Sequence, residues 1–134
     1  MSISDKYLTF EQYVLPVLFD NTARAHRISS RIFNRHGIVS FICGKRRFLD
    51  MFDISCQTLK LPNTNEKRLI AEELIALAEK YPDMLPVLIP CSKEAQDITA
   101  EFSDELETRY IITDTSIFNS ASPIERLARS LENS

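Results

Sequence analysis

Three short polar segments of this chain carry residue types that could bind or transform a small ligand. Each follows an apolar run, and together they supply the candidate ligand-binding residues Asp20, Asn21, Thr22 and Arg24, then Gly44, Lys45 and Arg46, then Cys91, Ser92 and Lys93. In an open parallel sheet, ligands bind beyond the carboxyl ends of the strands, where the winding of the chain reverses. If the apolar runs are parallel strands, these segments lie along one crevice, which is the predicted site.

The first segment does not have the composition of a dinucleotide site. Such a site needs G-x-G-x-x-G after the first strand, because glycines let the backbone approach the pyrophosphate. Residues 20–25 contain no glycine, and the whole chain has only 2. A helix beginning here could still bind an anion through its free N–H groups, but Asp20 would oppose an anion. Capping of the helix by these residues is the simpler interpretation.

The cysteines and histidines predict no catalytic residue. Cys43 and Cys91 fall near the ends of predicted strands, where a cysteine beside a base could be a nucleophile. His26 and His36 lie within or at the end of the first predicted helix, and nothing local pairs them with a cysteine. Cysteine is also among the residues most often buried, so core packing is the simpler interpretation. No group of His, Cys and Asp has the spacing of metal ligands, so no metal site is predicted.

The composition is that of one globular domain. The chain has 134 residues, of which 44% are hydrophobic and 26% are charged, so it can bury a core without disulfides. The net charge of -3 argues against nucleic acid as a partner. Basic residues at 45–47 and at positions 24, 27, 31 and 35 are interpreted as solvated surface, with an anion or partner site as the alternative.

The chain also lacks the signals of export and membrane insertion. Residues 1–10 have no apolar signal-peptide core, and no run approaches the roughly 20 apolar residues of a membrane span. The 3 cysteines include no C-x-x-C pair, which is typical of a reducing compartment. We therefore expect a cytoplasmic protein that binds no membrane.

Apolar strands alternate with amphipathic helices along the chain. Strands are predicted over 13–19, 38–43, 55–61, 84–90 and 110–113, and helices over 22–35, 66–81, 93–108 and 122–131, with an ambiguous single turn over 48–54. This order predicts an α/β fold, a three-layer Rossmann-like domain with a mostly parallel sheet of about five strands and helices on both faces. The predicted organisation is a flexible N-terminus (1–12), the Rossmann-like domain (13–114), and a linker with a helix (115–134).

Several segments resemble one enzyme family. The run Leu15-Pro16-Val17-Leu18, a capped helix ending at His36-Gly37-Ile38, and the later run from Leu85 to Pro90 are similar to the N-terminal, pre-ATP-grasp domain of ATP-grasp carboxylate–amine ligases. The branch that the chain most resembles includes D-aspartate ligase and relatives of the carbamoyl-phosphate synthase large chain. A helix ending at 104–107 and the strand Arg109-Tyr110-Ile111-Ile112 extend the similarity, which covers about residues 13–114.

The resemblance implies a substrate-side role. In the family, this domain packs against an ATP-grasp module and forms one wall of the cleft for the acceptor substrate. The residues that hold ATP and Mg²⁺ belong to that module, so ATP and Mg²⁺ are implied for it and no cofactor is implied for this chain. Family members often carry glycines after the first strand, where this chain has Asp20-Asn21. We therefore expect the chain to be catalytically incomplete without an ATP-grasp module, supplied in cis or in trans.

Two alternatives stay open. The first is a free-standing Rossmann-like module that binds a small anionic ligand, an amino acid or another carboxylate through the three polar segments. The second is a non-catalytic interaction protein without a ligand, which could be a homodimer. The ligase interpretation predicts an exposed apolar surface where the module docks, with residues 122–132 as its expected place.

Overall fold

The computed structural model describes residues 13–63 and 65–113. The N-terminal segment 1–12, the linker from 115 and the predicted helix over 122–131 lie outside these ranges. Five strands and four α-helices are present in the described residues: β1 (Val14–Phe19), α1 (Ala23–His36), β2 (Ser40–Gly44), β3 (Cys56–Lys60), α2 (Lys67–Glu79), β4 (Leu85–Pro90), α3 (Lys93–Glu101), α4 (Ser103–Leu106) and β5 (Ile111–Ile112). A 3-10 helix (Phe48–Phe52) occupies the predicted single turn between β2 and β3.

All neighbouring strands are parallel, in the order β3-β2-β1-β4-β5. This confirms the predicted Rossmann-like α/β fold and adds the strand order. The chain winds from β1 toward β3 on one side and from β4 to β5 on the other, so the winding reverses between β1 and β4. Among the described residues, no helix has the length and apolar character needed to cross a membrane.

The strand β1 is apolar throughout because both faces of the sheet are covered. Leu15, Val17 and Phe19 pack in one buried cluster with residues of α2, α3 and α4. Val14 and Leu18 belong to the other buried cluster, which α1 covers. Successive side chains of a strand point to opposite faces, so a central strand in this position needs apolar residues at every step.

Pro16 is accommodated in β1 by the register of its neighbours. On the β4 side, the Leu85 N–H donates a hydrogen bond to the Tyr13 carbonyl, and the Cys91 N–H donates one to the Phe19 carbonyl. The backbone N–H and C=O groups of successive residues point alternately to the two neighbouring strands, so those of residue 16 point toward β2. The pairing of β1 with β2 begins one residue later, at Val17. The missing N–H of the proline therefore falls where no ladder bond is made.

The first helix begins and ends as its sequence predicts. The Thr22 side chain accepts a hydrogen bond from the Ala25 N–H, and Gly37 closes the helix in the left-handed conformation, with φ of 69°. The predicted helix over 93–108 is interrupted, however: α3 ends at Glu101 and α4 starts at Ser103. The Thr99 hydroxyl donates to the Ala95 carbonyl at 2.7 Å, a side-chain contact that competes with helix hydrogen bonds and bends helices.

The loop after β1 crosses the end of β2 in very close contact. Asp20 has φ of 94°, a region that residues with a side chain rarely adopt, and its N–H donates to the Cys43 carbonyl at 2.8 Å. A Cβ atom on Gly44 would lie 2.6 Å from the backbone nitrogen of Asn21. Glycine at position 44 is therefore what lets the β1–α1 loop pass over β2.

We expect Gly44→Ala to destabilise the domain by about 1–3 kcal/mol, because either the loop or β2 must shift to admit the methyl group. Denaturant unfolding of the purified chain measures this loss. The matched control is Gly37→Asn, since nothing lies within 4 Å of a Cβ atom there and asparagine tolerates the left-handed region. A Gly44→Ala protein as stable as the control would contradict the close crossing.

Candidate functional site

A cavity of about 170 Å³ lies at the carboxyl ends of the central strands, beside the point where the winding reverses. Its apolar walls come from the end of β1, from the segment after β3, and from α2 and α3. The residues that form these walls are Phe19, Leu61, Pro62, Ile70, Ala95 and Ile98. Pockets for drug-sized ligands are roughly 300–1,000 Å³, so this cavity suits a smaller molecule.

The polar lining of the cavity carries charges of both signs. Lys45 supplies an ammonium group, and Asp20 and Glu94 supply carboxylates. Lys45 and Glu94 are exposed, and Asp20 is half-buried in its strained conformation. Backbone strain of this kind costs roughly 1–3 kcal/mol and persists where the surroundings impose it, often at ligand sites. Such a lining can bind a small ligand that has one cationic group and one anionic group.

Only some of the predicted site residues line the cavity, and the others lie elsewhere in the domain. Asp20, Gly44 and Lys45 come together at the cavity. Thr22 and Ser92 are helix caps, each accepting a hydrogen bond from the N–H three residues on. The side chains of Arg24, Arg46 and Lys93 are exposed, Cys91 is buried, and Asn21 belongs to a separate polar cluster.

The three cysteines are free thiols, and two of them are core residues. Burial raises the pKa of Cys43 to about 12 and that of Cys91 to about 12. The Cys91 thiol donates to the Ile89 carbonyl at 3.4 Å. Neither thiol is a thiolate at neutral pH, which favours the core-packing interpretation of these two residues over a nucleophilic role.

A polar cluster forms on the α1 side of the β2 end. It consists of Asn21, His26, Asp50 and Asp53, which we call the His26 cluster. His26 Nδ1 lies 2.5 Å from Asp53 Oδ2, and Nε2 lies 3.0 Å from Asp50 Oδ1 and 2.9 Å from Asn21 Oδ1. Both ring nitrogens therefore face oxygen acceptors.

The two carboxylates of the His26 cluster are held by further donors. Asn21 Nδ2 donates to both oxygens of Asp50 at 2.9 Å and to the Lys45 carbonyl at 2.8 Å. The Arg47 N–H donates to Asp50 at 2.8 Å. The Ser55 N–H and hydroxyl both donate to Asp53 Oδ1, at 2.8 Å and 2.5 Å. The cluster thus joins α1 to both ends of the segment between β2 and β3.

These donors set the charge of the cluster. Burial would raise the pKa of Asp50, but hydrogen bonds from Arg47, Asn21 and His26 outweigh it and lower the pKa below its usual value. Burial likewise opposes ionisation of Asp53, and the bonds from Ser55 and His26 lower its pKa. Both groups are therefore carboxylates at neutral pH.

Sequence reasoning missed the His26 cluster because its members are far apart along the chain. His26 is 24 residues from Asp50 and 27 from Asp53, and no short motif joins them. A weak signal exists in the sequence, since Asp50 and Asp53 interrupt an otherwise apolar segment, 48–54. That segment was predicted only as an ambiguous turn.

The same segment presents an unexpected apolar surface. Phe48, Met51, Phe52 and Ile54 are between 66% and 82% exposed, and the Phe48 and Phe52 rings pack edge to face at 5.4 Å. Exposed apolar surfaces of this kind mark contacts with other molecules. Residues 122–132, where such a surface was expected, lie outside the described residues.

Comparison of the chain with protein-family models, curated proteins and solved structures gives no match. The similarity to the pre-ATP-grasp domain therefore stays a prediction from the sequence.

We expect the stabilising effect of Asp50 to depend on pH. A carboxylate whose pKa is lowered in the folded state stabilises that state above its unfolded pKa, near 3.8, and this contribution is lost as the pH falls through the folded pKa. Asp50→Asn should therefore reduce the free energy of unfolding by about 2 kcal/mol at pH 7, and the difference from the wild type should shrink below pH 4.

Urea unfolding at several pH values, in buffer with a chelator, measures this difference. The control is Asp97→Asn, because Asp97 lies on the exposed face of α3. If the difference between Asp50→Asn and wild type is the same at pH 3 as at pH 7, Asp50 does not stabilise the fold as a carboxylate.

Proposed function

We propose that this chain is the substrate-side domain of an ATP-grasp carboxylate–amine ligase, and that its cavity binds a small amino acid as the acceptor. The mixed-charge cavity at the strand ends carries this proposal. An amino acid has an ammonium group for Asp20 or Glu94 and a carboxylate for Lys45, and its side chain can occupy the apolar walls. Residues 13–114 resemble the pre-ATP-grasp domain, which in the family forms one wall of the acceptor cleft. For this reason we assign the amino acid the role of the acceptor.

The cavity is a poor match for Mg-ATP. No glycine follows β1 to let the backbone approach a polyphosphate, and the cavity carries two carboxylates against one lysine. A triphosphate would be repelled there. In the proposed arrangement, ATP and Mg²⁺ are bound by an ATP-grasp module outside the described residues, and this domain positions the acceptor.

An interaction protein without a ligand is the second candidate, and the apolar surface of Phe48, Met51, Phe52 and Ile54 favours it. The ligase proposal also accommodates this surface, as a place where a module docks. The two candidates differ in the cavity, which binds an amino acid only in the first.

Titration calorimetry of the chain with amino acids tests the acceptor-binding part of the ligase proposal. We expect at least one small amino acid to bind, and its amide and its deaminated analogue to bind at least tenfold more weakly, because each lacks one of the two charges. Asp20→Asn keeps a side chain that tolerates positive φ and removes the charge, so it should weaken binding through the ammonium group. Asp97→Asn, on the exposed face of α3, is the matched control and should bind as the wild type does.

Binding of Mg-ATP to this chain would contradict the proposed division of roles. Absence of binding to every amino acid, together with sedimentation of the chain as a dimer, would favour the interaction protein instead.

A further inference from the structure

Two members of the His26 cluster and a neighbouring cysteine bring metal-ligand side chains together, on the side away from the cavity. They are His26, Asp53 and Cys56, and one ligand atom of each (a ring nitrogen of His26, a carboxylate oxygen of Asp53 and Sγ of Cys56) lies within 4.8 Å of the other two. All three residues are half-buried. Ligand atoms around a tetrahedral zinc ion are roughly 3.5 Å apart, so small side-chain movements would bring these three to coordination distance.

Hydrogen bonds from neighbouring residues hold the side chains of His26 and Asp53 in orientations that are typical of metal ligands. His26 Nε2 faces Asp50 Oδ1 at 3.0 Å, which leaves Nδ1 directed at Asp53. Metal-ligating histidines commonly donate their other N–H to a carboxylate in this way. Asp53 Oδ1 is occupied by the Ser55 N–H and hydroxyl, so Oδ2 is the oxygen available to an ion.

The donor set selects a class of metal. An imidazole nitrogen, a carboxylate oxygen and a thiolate sulfur suit borderline ions such as Zn²⁺ and Co²⁺, whereas Mg²⁺ and Ca²⁺ prefer oxygen alone. Burial and the neighbouring Asp53 raise the pKa of the Cys56 thiol to about 12, so the thiol loses its proton only as the ion binds. The three ligands then carry two negative charges, which balance a divalent ion. An open pocket lined by Ala23, His26, Arg27, Ser30, Phe52 and Asp53 lies beside the group and gives access from solvent.

We propose that His26, Asp53 and Cys56 form a binding site for a borderline divalent metal of the Zn²⁺ and Co²⁺ class, with Asp50 as a positioning residue behind His26. The ion takes the place of the proton between His26 Nδ1 and Asp53 Oδ2, which are 2.5 Å apart and separate on binding. The Nδ1 proton and the Cys56 thiol proton leave to solvent, and no redox change occurs. The site does not depend on the proposed ligase function.

Cobalt titration of the reduced, chelator-treated chain tests the proposal. We expect one Co²⁺ per chain, with a thiolate-to-cobalt charge-transfer band in the near ultraviolet. Cys56→Ser should abolish this band, and the matched control Cys91→Ala should retain it, because Cys91 is buried in the core beside α1. Asp50→Asn should keep the band and weaken metal affinity about 10- to 100-fold, since Asp50 acts through His26.

A second measurement needs no variant. Alkylation of the wild-type chain, followed by peptide mapping, should show that Zn²⁺ slows labelling of Cys56. The proposal is overturned if the wild type gives no charge-transfer band with Co²⁺, if the band survives in Cys56→Ser, or if Zn²⁺ leaves the labelling of Cys56 unchanged.

Discussion

The crossing of the β1–α1 loop over the end of β2 is the constraint on which both polar regions of this domain depend. Asp20 and Asn21 occupy this loop, and the absence of a side chain at Gly44 allows it to pass within contact distance of β2. As a result, Asp20 lines the cavity between α2 and α3, while the next residue, Asn21, enters the His26 cluster on the α1 side. Two adjacent residues thereby serve opposite faces of the sheet.

The His26 cluster ties the segment between β2 and β3 to α1, together with the buried hydrogen bonds between Ser29 and Ser55. Four large apolar side chains of this segment, those of Phe48, Met51, Phe52 and Ile54, are exposed and contribute little to the core. Asp50 and Asp53 point inward instead and accept hydrogen bonds from α1 and from the segment's own backbone. Charge-assisted hydrogen bonds are stronger than neutral ones, so a few of them can order a segment whose described apolar side chains are largely exposed.

The sequence was sufficient for the fold and for three of the residues that line the candidate cavity. Uninterrupted apolar runs such as 14–19 indicate strands covered on both faces, and Thr22 and Gly37 mark the ends of α1, because these signals are local. The rule that ligands bind at strand ends placed Asp20, Gly44 and Lys45 at the cavity. The positive φ of Asp20 and the His26 cluster could not be predicted, since each depends on tertiary contacts between distant residues.

Native-state hydrogen exchange of His26→Gln tests most directly whether the His26 cluster holds this segment. The amide groups of Arg47 and Ser55 donate to Asp50 and Asp53, so their exchange should accelerate at least about tenfold, equivalent to about 1.4 kcal/mol of local stability. The amides of Leu18 and Leu88 in the central strands should keep their wild-type protection. Unchanged exchange at Arg47 and Ser55, or equal acceleration at all four positions, would contradict the account.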